Sequence, residues 1–416
     1  MEYLIVATTV MALVFLVLAN FGKHAAWRVL PVLLLAFTVR LVVHILVVRP
    51  NVVGYSGDYL GYEAMSTETA AFWSREGFQF ATSVPSAFFD SVAVPCYVFA
   101  IVMYLAGGPA PIACTGVVAL IACALCIVMY KFARLIGANE RSAFALLVMT
   151  AFAPMFVICT SDMFKDGFNA LLVVSCLFLA ASCARRFDTR KLLMIPPLLW
   201  TLWYVRTYMV FMCGFPALLG ILGSRAAALT RTVVILAGLL TSVLFLLGNA
   251  GGDTLTDTAL GQLEFGQSEE ARSAYAKQGS GVLFEDNGSA WDALIPKLFY
   301  TLLAPFPWTD GSTALQLAKI ETLAWYFLLY SAVRGARRLW RYDRRMLLII
   351  MLFIVPSTII YATTVANIGL IFRQRIPIVM VTSLLSAVAW SRKEVPANTE
   401  EVLPDDAEEP VTGRKV

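Results

Sequence analysis

The chain has 416 residues, of which 59% are hydrophobic and 14% charged, with 32 basic against 28 acidic side chains and a formal net charge of +4. A soluble globular chain carries about 25% charged residues. This composition, with a mean hydropathy of +0.74, therefore excludes a soluble globule and predicts an all-α, polytopic transmembrane helix bundle of about 11–12 spans.

Apolar stretches fall at 3–21, 29–48, 91–108, 112–130, 143–160, 168–184, 192–205, 208–223, 232–249, 313–333, 346–364 and 376–391. Lipid offers the backbone no hydrogen-bond partner, so runs of this kind are read as helices crossing a core of about 30 Å. The first is read as a retained helix: no basic region precedes Tyr3 and no small-residue cleavage site precedes Phe21-Gly22-Lys23. Lys and Arg gather in the loops 131–142, 185–191, 224–231, 334–345 and 392–393. These loops are placed in the cytoplasm, so the positive balance is a topology signal and not a nucleic-acid surface.

The opposite face then receives 161–167, Arg206, a long polar loop from 251 to about 293, and 366–377. The front of the chain resists this count. Two full crossings before residue 131 put the polar loop 49–90 on the cytoplasmic side. An external loop requires one of the spans 29–48, 91–108 or 112–130 to cross incompletely, or part of 67–90 to re-enter the membrane, and the span with Arg40 and His44 is the weakest of the three. The external placement is adopted because it alone brings the carboxylates of that loop to the face holding Lys165 and Arg206. Further on, 295–308 (IPKLFYTLLAPFPW) is too broken by proline to span and reads as an interfacial helix with Trp308 at headgroup depth. Residues 1–392 form the transmembrane domain, and 393–416, with its DDAEE run, read as a disordered acidic cytoplasmic tail.

Chemistry-bearing residues cluster in breaks between apolar stretches. The stretch 154–169, PMFVICTSDMFKDGFN, places Asp162, Lys165 and Asp166 in five positions between two apolar helices. Charge at a membrane lip marks a candidate site. The loop motif GYSGDYLGYE, 54–63, offers Asp58 and Glu63 interleaved with Tyr55, Tyr59 and Tyr62. A carboxylate there suits a general base toward a sugar hydroxyl, with Tyr59 and Tyr62 stacking on sugar rings. Asp58 is the candidate base, with Glu63 and Asp166 as further candidate carboxylates. Lys165, Arg206 in WYVRTY, and Arg373 and Arg375 in FRQRIP suit the phosphate of a lipid-linked substrate, since guanidinium presents a planar donor fork.

The eight cysteines lie in apolar stretches and read as small hydrophobes, Cys123 and Cys126 included. Two histidines, His24 and His44, do not make a metal site, and no cofactor is expected beyond a divalent cation at Asp58 and Glu63. Asn287-Gly288-Ser289 matches a glycosylation acceptor by spacing alone.

In chain order, the acidic D-Y loop, SDMFKDG, WYVRTY, LLAPFPW followed by KIETLAWY, and ANIGLIFRQRIPIV resemble bacterial multipass envelope-polysaccharide proteins. Those are O-antigen-type polymerases and type C glycosyltransferases that use polyprenyl-linked sugars. The N-x-G-x-x-x-R-x-R pattern of Asn367, Gly369, Arg373 and Arg375 carries the likeness furthest, with Leu370 where members often have Thr. The resemblance implies transfer of a sugar or oligosaccharide from a polyprenyl-phosphate donor to a glycan or lipid acceptor, at the outer face of a bacterial inner membrane, in an envelope-synthesis complex. Two rival readings use the same residues: a transporter or flippase for an anionic lipid or lipid-linked sugar, and a non-catalytic assembly scaffold.

Overall fold

The computed structural model describes residues 1–52, 58–79, 92–222, 261, 263–276, 289–309, 313–364 and 368–391. The stretch 232–249, most of the loop 251–293 with Asn287 and Gly288, Asn367, and the tail 393–416 lie outside the described residues. Every other apolar stretch is helical, and no strand occurs among the described residues. The protein is an all-α polytopic membrane bundle.

In chain order the helices are α1 (Glu2–Asn20), α2 (Lys23–Val43, continued by a π-helical turn His44–Val48), α3 (Tyr59–Glu76), α4 (Ala93–Ala106), α5 (Pro111–Leu135), α6 (Glu140–Phe152), α7 (Pro154–Ile158) and α8 (Asp166–Arg185). There follow α9 (Thr189–Trp203), α10 (Met209–Leu222), α11 (Glu269–Ala276), α12 (Leu294–Leu303), α13 (Thr313–Tyr342), α14 (Arg344–Thr364), α15 (Ile368–Gln374) and α16 (Ile376–Trp390). Among the described residues five stretches, Glu2–Asn20, Lys23–Val48, Pro111–Leu135, Asp166–Arg185 and Arg344–Thr364, are long and apolar enough to cross a membrane, and shorter apolar helices accompany them. The centre is α5 and α8, which bury most of their length against each other and against α1, α10 and α16.

Side-chain bridges sort the loops into two ends. At the basic end Arg28 pairs with Glu140 (3.0 Å), Lys131 donates to Asn20 (2.6 Å), Tyr342 donates to the Ile136 carbonyl (3.2 Å) and Arg185 faces Asp343 (3.4 Å). At the other end lie the π turn after α2, the break between α7 and α8, and the break between α9 and α10.

The segment that fails to cross is α4, not the one carrying Arg40 and His44. The Val94 N–H at its start donates to Tyr204 in the break after α9 (3.4 Å). Just past its end, the Ile112 and Ala113 amides at the start of α5 meet Glu2 (2.7 and 3.2 Å), and Thr115 meets His44 (3.0 Å). Both termini of α4 therefore sit at the same end of the bundle. Its 14 residues reach only about 21 Å at about 1.5 Å per residue. Gly107, at φ +84°, ends the helix in the left-handed conformation, and Gly108 N–H returns to the Met103 carbonyl (3.0 Å). With α4 turned back over α3, the described part of loop 49–90, residues 49–52 and 58–79, shares its end with Lys165 and Arg206. By contrast α2 crosses completely. Arg40, fully buried, donates to Thr160 (2.8 Å) and to the Ala151 carbonyl (3.1 Å), which the Pro154 break leaves without a helical partner.

The stretch expected to end near 333 continues as helix to Tyr342, because the arginines that mark it as a loop are also good helix formers. Gly335 lets α13 close on α16: a Cβ there would lie 1.8 Å from the Leu385 carbonyl oxygen. Gly335→Ala is expected to wedge the two helices apart, costing about 1–3 kcal/mol as overpacking does. Thermal unfolding in detergent measures this; an unchanged midpoint would mean the contact carries no stability.

Candidate functional site

The break Cys159–Lys165 follows from sequence: Pro154 splits the crossing into α6 and α7, and the Ser161-Asp162 pair supplies polar groups that bond within the turn. The Asp162 carboxylate accepts the Met163 amide (2.8 Å), and its carbonyl accepts Phe164 N–H (2.7 Å). Two ion clusters grow from this break.

The first centres on Arg373, which leaves the end of α15 and is almost wholly buried. Its Nε donates to Asp166 Oδ2 and its Nη1 to Asp58 Oδ2, the latter at 2.7 Å. Arg206 approaches the other Asp166 oxygen (4.0 Å), donates to the Tyr361 hydroxyl on α14 (3.3 Å), and lies near the Tyr208 ring (5.8 Å). Asp58 also accepts from the Tyr62 hydroxyl (3.4 Å). The Asp58 side chain is 58% exposed whereas that of Asp166 is 2% exposed, so Asp58 is the accessible carboxylate. The Lys165 amine sits beside both acids and makes no hydrogen bond or ion pair within the described residues.

Electrostatics follow from the arrangement. Burial raises Asp58, but Arg373, with Lys165 behind it, outweighs that and holds the carboxyl below its ordinary range. Loss of solvent, then the neighbouring Arg206 and Arg373, lower the Lys165 amine to about 7 against the pull of Asp166 and Asp58. With Lys165 protonated, three cations face two carboxylates, and the cluster has room for one more negative charge.

The second cluster was not foreseen. Arg49, just past the π turn, bridges Glu63 (2.8 Å) and Asp162 (2.9 and 3.0 Å). Asp162, fully buried, also faces His44 (3.4 Å), whose Nδ1 lies 3.1 Å from the Ser161 carbonyl. Glu63 therefore belongs with Asp162 and not with Asp58. The two carboxylates considered for a divalent cation are held by different arginines, and no group of three His, Cys, Asp or Glu converges among the described residues. A π turn beside a buried His–Asp–Arg set could have been suspected only from the unusual charge of 40–49, RLVVHILVVR.

Between the clusters stands an aromatic wall. Tyr59 packs edge-on against Phe164 (5.5 Å), with Arg49 over Tyr59 (5.4 Å) and Arg373 over Phe164 (5.2 Å). Tyr59 and Tyr62 are 5% and 6% exposed, because α3 turns Tyr59, Tyr62, Ser66, Thr69 and Trp73 onto one inward face. Their rings are packing surfaces here and are not presented to a sugar.

Arg375 also leaves the expected site. It donates to the Ala304 carbonyl (2.9 Å) at the end of α12, with its guanidinium against the Phe372 ring (4.0 Å) and near the Trp325 ring (5.8 Å). It closes a helix C-terminus, where a cation meets free carbonyls. Neighbouring Glu321 on α13 caps the other side of this corner by accepting the Met155 amide (2.7 Å).

The structure therefore brings together Asp58, Lys165, Asp166, Arg206 and Arg373, and sets Glu63, Tyr59 and Arg375 in other roles. Compared with family models, with curated proteins and with solved structures, the chain finds no match.

Proposed function

We propose that the protein is a membrane glycosyltransferase or polysaccharide polymerase that takes a sugar or oligosaccharide from a polyprenyl-phosphate-linked donor. The observation that supports this is the surplus cation: Lys165, Arg206 and Arg373 against Asp58 and Asp166 at one end of the bundle, with Asp58 exposed. The donor phosphate takes the place of the missing anion, held by Lys165, Arg206 and Arg373, while its isoprenoid chain lies in lipid. Competition for Arg373 then loosens Asp58, which regains the basicity that the ion pair suppresses. As the acceptor oxygen bonds to the sugar carbon, its proton passes to the Asp58 carboxylate. The sugar–phosphate C–O bond breaks, and charge grows on the departing phosphate against the same cations.

Purified protein in nanodiscs, given a polyprenyl-diphosphate oligosaccharide and a glycan acceptor, is expected to form a new glycosidic bond. Arg206→Ala is expected to slow it about 100- to 1000-fold, the usual loss for one transition-state donor, with Arg206→Lys recovering part. An unchanged rate in Arg206→Ala at normal protein level would remove the phosphate role. Movement of the intact donor across the bilayer with no bond formed would replace transfer by transport.

The Lys165 amine binds phosphate only when protonated. With its proton leaving near pH 7, donor affinity is expected to be full below pH 6 and to fall as pH rises through 7 to 8.5. Lys165→Arg keeps its charge over that range and flattens the profile. A donor KM independent of pH in the parent protein would contradict this.

A further inference from the structure

The opposite, basic end carries an exposed cationic face far in the fold from the Asp58–Arg373 cluster. Along α13 the exposed face reads Ile320, Leu323, Phe327 and Tyr330, at 56–68% exposure. Spaced by three and four residues, these lie on one side of the helix, the side turned to lipid. The same spacing continues into Arg334, Arg337 and Arg341, all exposed. The lipid-facing stripe thus changes from apolar to cationic without leaving its face. Helix length sets the depth of the change. Thirty residues span about 45 Å, some 15 Å more than a hydrocarbon core, so the arginines come level with headgroups. Aromatic residues mark the same level: Arg334 lies over the Tyr330 ring (5.8 Å), and Arg344 over the ring of exposed Trp340 (5.1 Å).

The end of α8 adds to the surface. Arg185 reaches Asp343 (3.4 Å) and brings exposed Arg186 alongside. That ion pair occupies Asp343, while Arg337 and Arg341 make no hydrogen bond or ion pair among the described residues. We propose that this face binds the phosphate headgroups of anionic lipids, with preference for a lipid that carries two phosphates. Arginine separated by one turn from arginine matches two neighbouring phosphates, each accepting a forked pair of N–H groups.

The test uses the full-length protein in nanodiscs, with native mass spectrometry counting retained lipid and exchange titration giving affinity. The lipids are phosphatidylcholine, phosphatidylglycerol and cardiolipin. Cardiolipin is expected to bind best and phosphatidylcholine not at all. The triple variant Arg334→Gln/Arg337→Gln/Arg341→Gln, on exposed positions with similar helix propensity, is expected to lose on the order of 100-fold in cardiolipin affinity, each charge near a surface giving about a factor of five. Thermal unfolding in phosphatidylcholine nanodiscs and transfer activity should stay at the parent level. Equal cardiolipin affinity in parent and variant would overturn the proposal. So would displacement of cardiolipin by inorganic pyrophosphate at matched concentration, which would assign the face to a soluble phosphate. If the parent selects cardiolipin only after residues 393–416 are removed, the acidic tail is the occupant and the lipid assignment fails.

Discussion

Arg373→Ala is expected to bring glycosyl transfer to background and to lower the unfolding free energy by about 3–5 kcal/mol, the usual loss when one partner of a buried ion pair is removed. Arg373 touches both carboxylates of the cluster. Without it, Asp166 keeps only Arg206 at 4.0 Å and stays out of reach of water. Asp58 is released but faces a proposed phosphate site that has lost a cation. The two effects separate in a second variant. Asp166→Asn in the Arg373→Ala background removes the stranded charge, so it should restore most of the thermal midpoint in nanodiscs and none of the turnover. Should Arg373→Ala unfold at the parent temperature and retain turnover, the cluster is neither structural nor functional.

The second large effect is at Asp162. Its carboxylate is fully buried and answers Arg49, His44 and the Met163 amide at once. Asp162→Ala leaves a guanidinium and a backbone N–H facing the vacancy, again about 3–5 kcal/mol. The break that carries Lys165 loses its anchor with it, so donor KM should rise along with the loss of folded protein. Asp162→Asn keeps the amide bond and should recover part of both. A double-mutant cycle with Arg49→Gln isolates the pair; a coupling energy under about 0.5 kcal/mol, the level expected of independent sites, would show that Arg49 and Asp162 act separately.

The helices were legible because lipid imposes one backbone solution and composition reveals it. The break at 154–166 was legible for a related reason: proline followed by Asp162, Lys165 and Asp166 has no place inside a span. Pairings across the bundle were not legible. Arg49 and Asp162 stand 113 positions apart, and nothing in either local stretch names the other. The FRQRIP motif misled for a geometric reason. Residues two apart at a helix end point to opposite sides, so Arg373 enters the site while Arg375 turns to the Ala304 carbonyl. The tyrosines of the acidic loop misled because the segment is a helix with an inward face, and an aromatic on that face packs. The crossing count failed at α4, where an apolar run of spanning character was cut short by Gly107 and Gly108.

That turned-back helix also bears on how the protein is made. Because α4 enters and leaves on one side, it adds no crossing between α2 and α5. Asp58, at the start of α3, can then meet Arg373 only after α15 has been synthesised, 315 positions later. A chain that ends before α15 would hold Asp58 and Asp166 beside Lys165 and Arg206 but without Arg373, which binds both carboxylates in the finished protein.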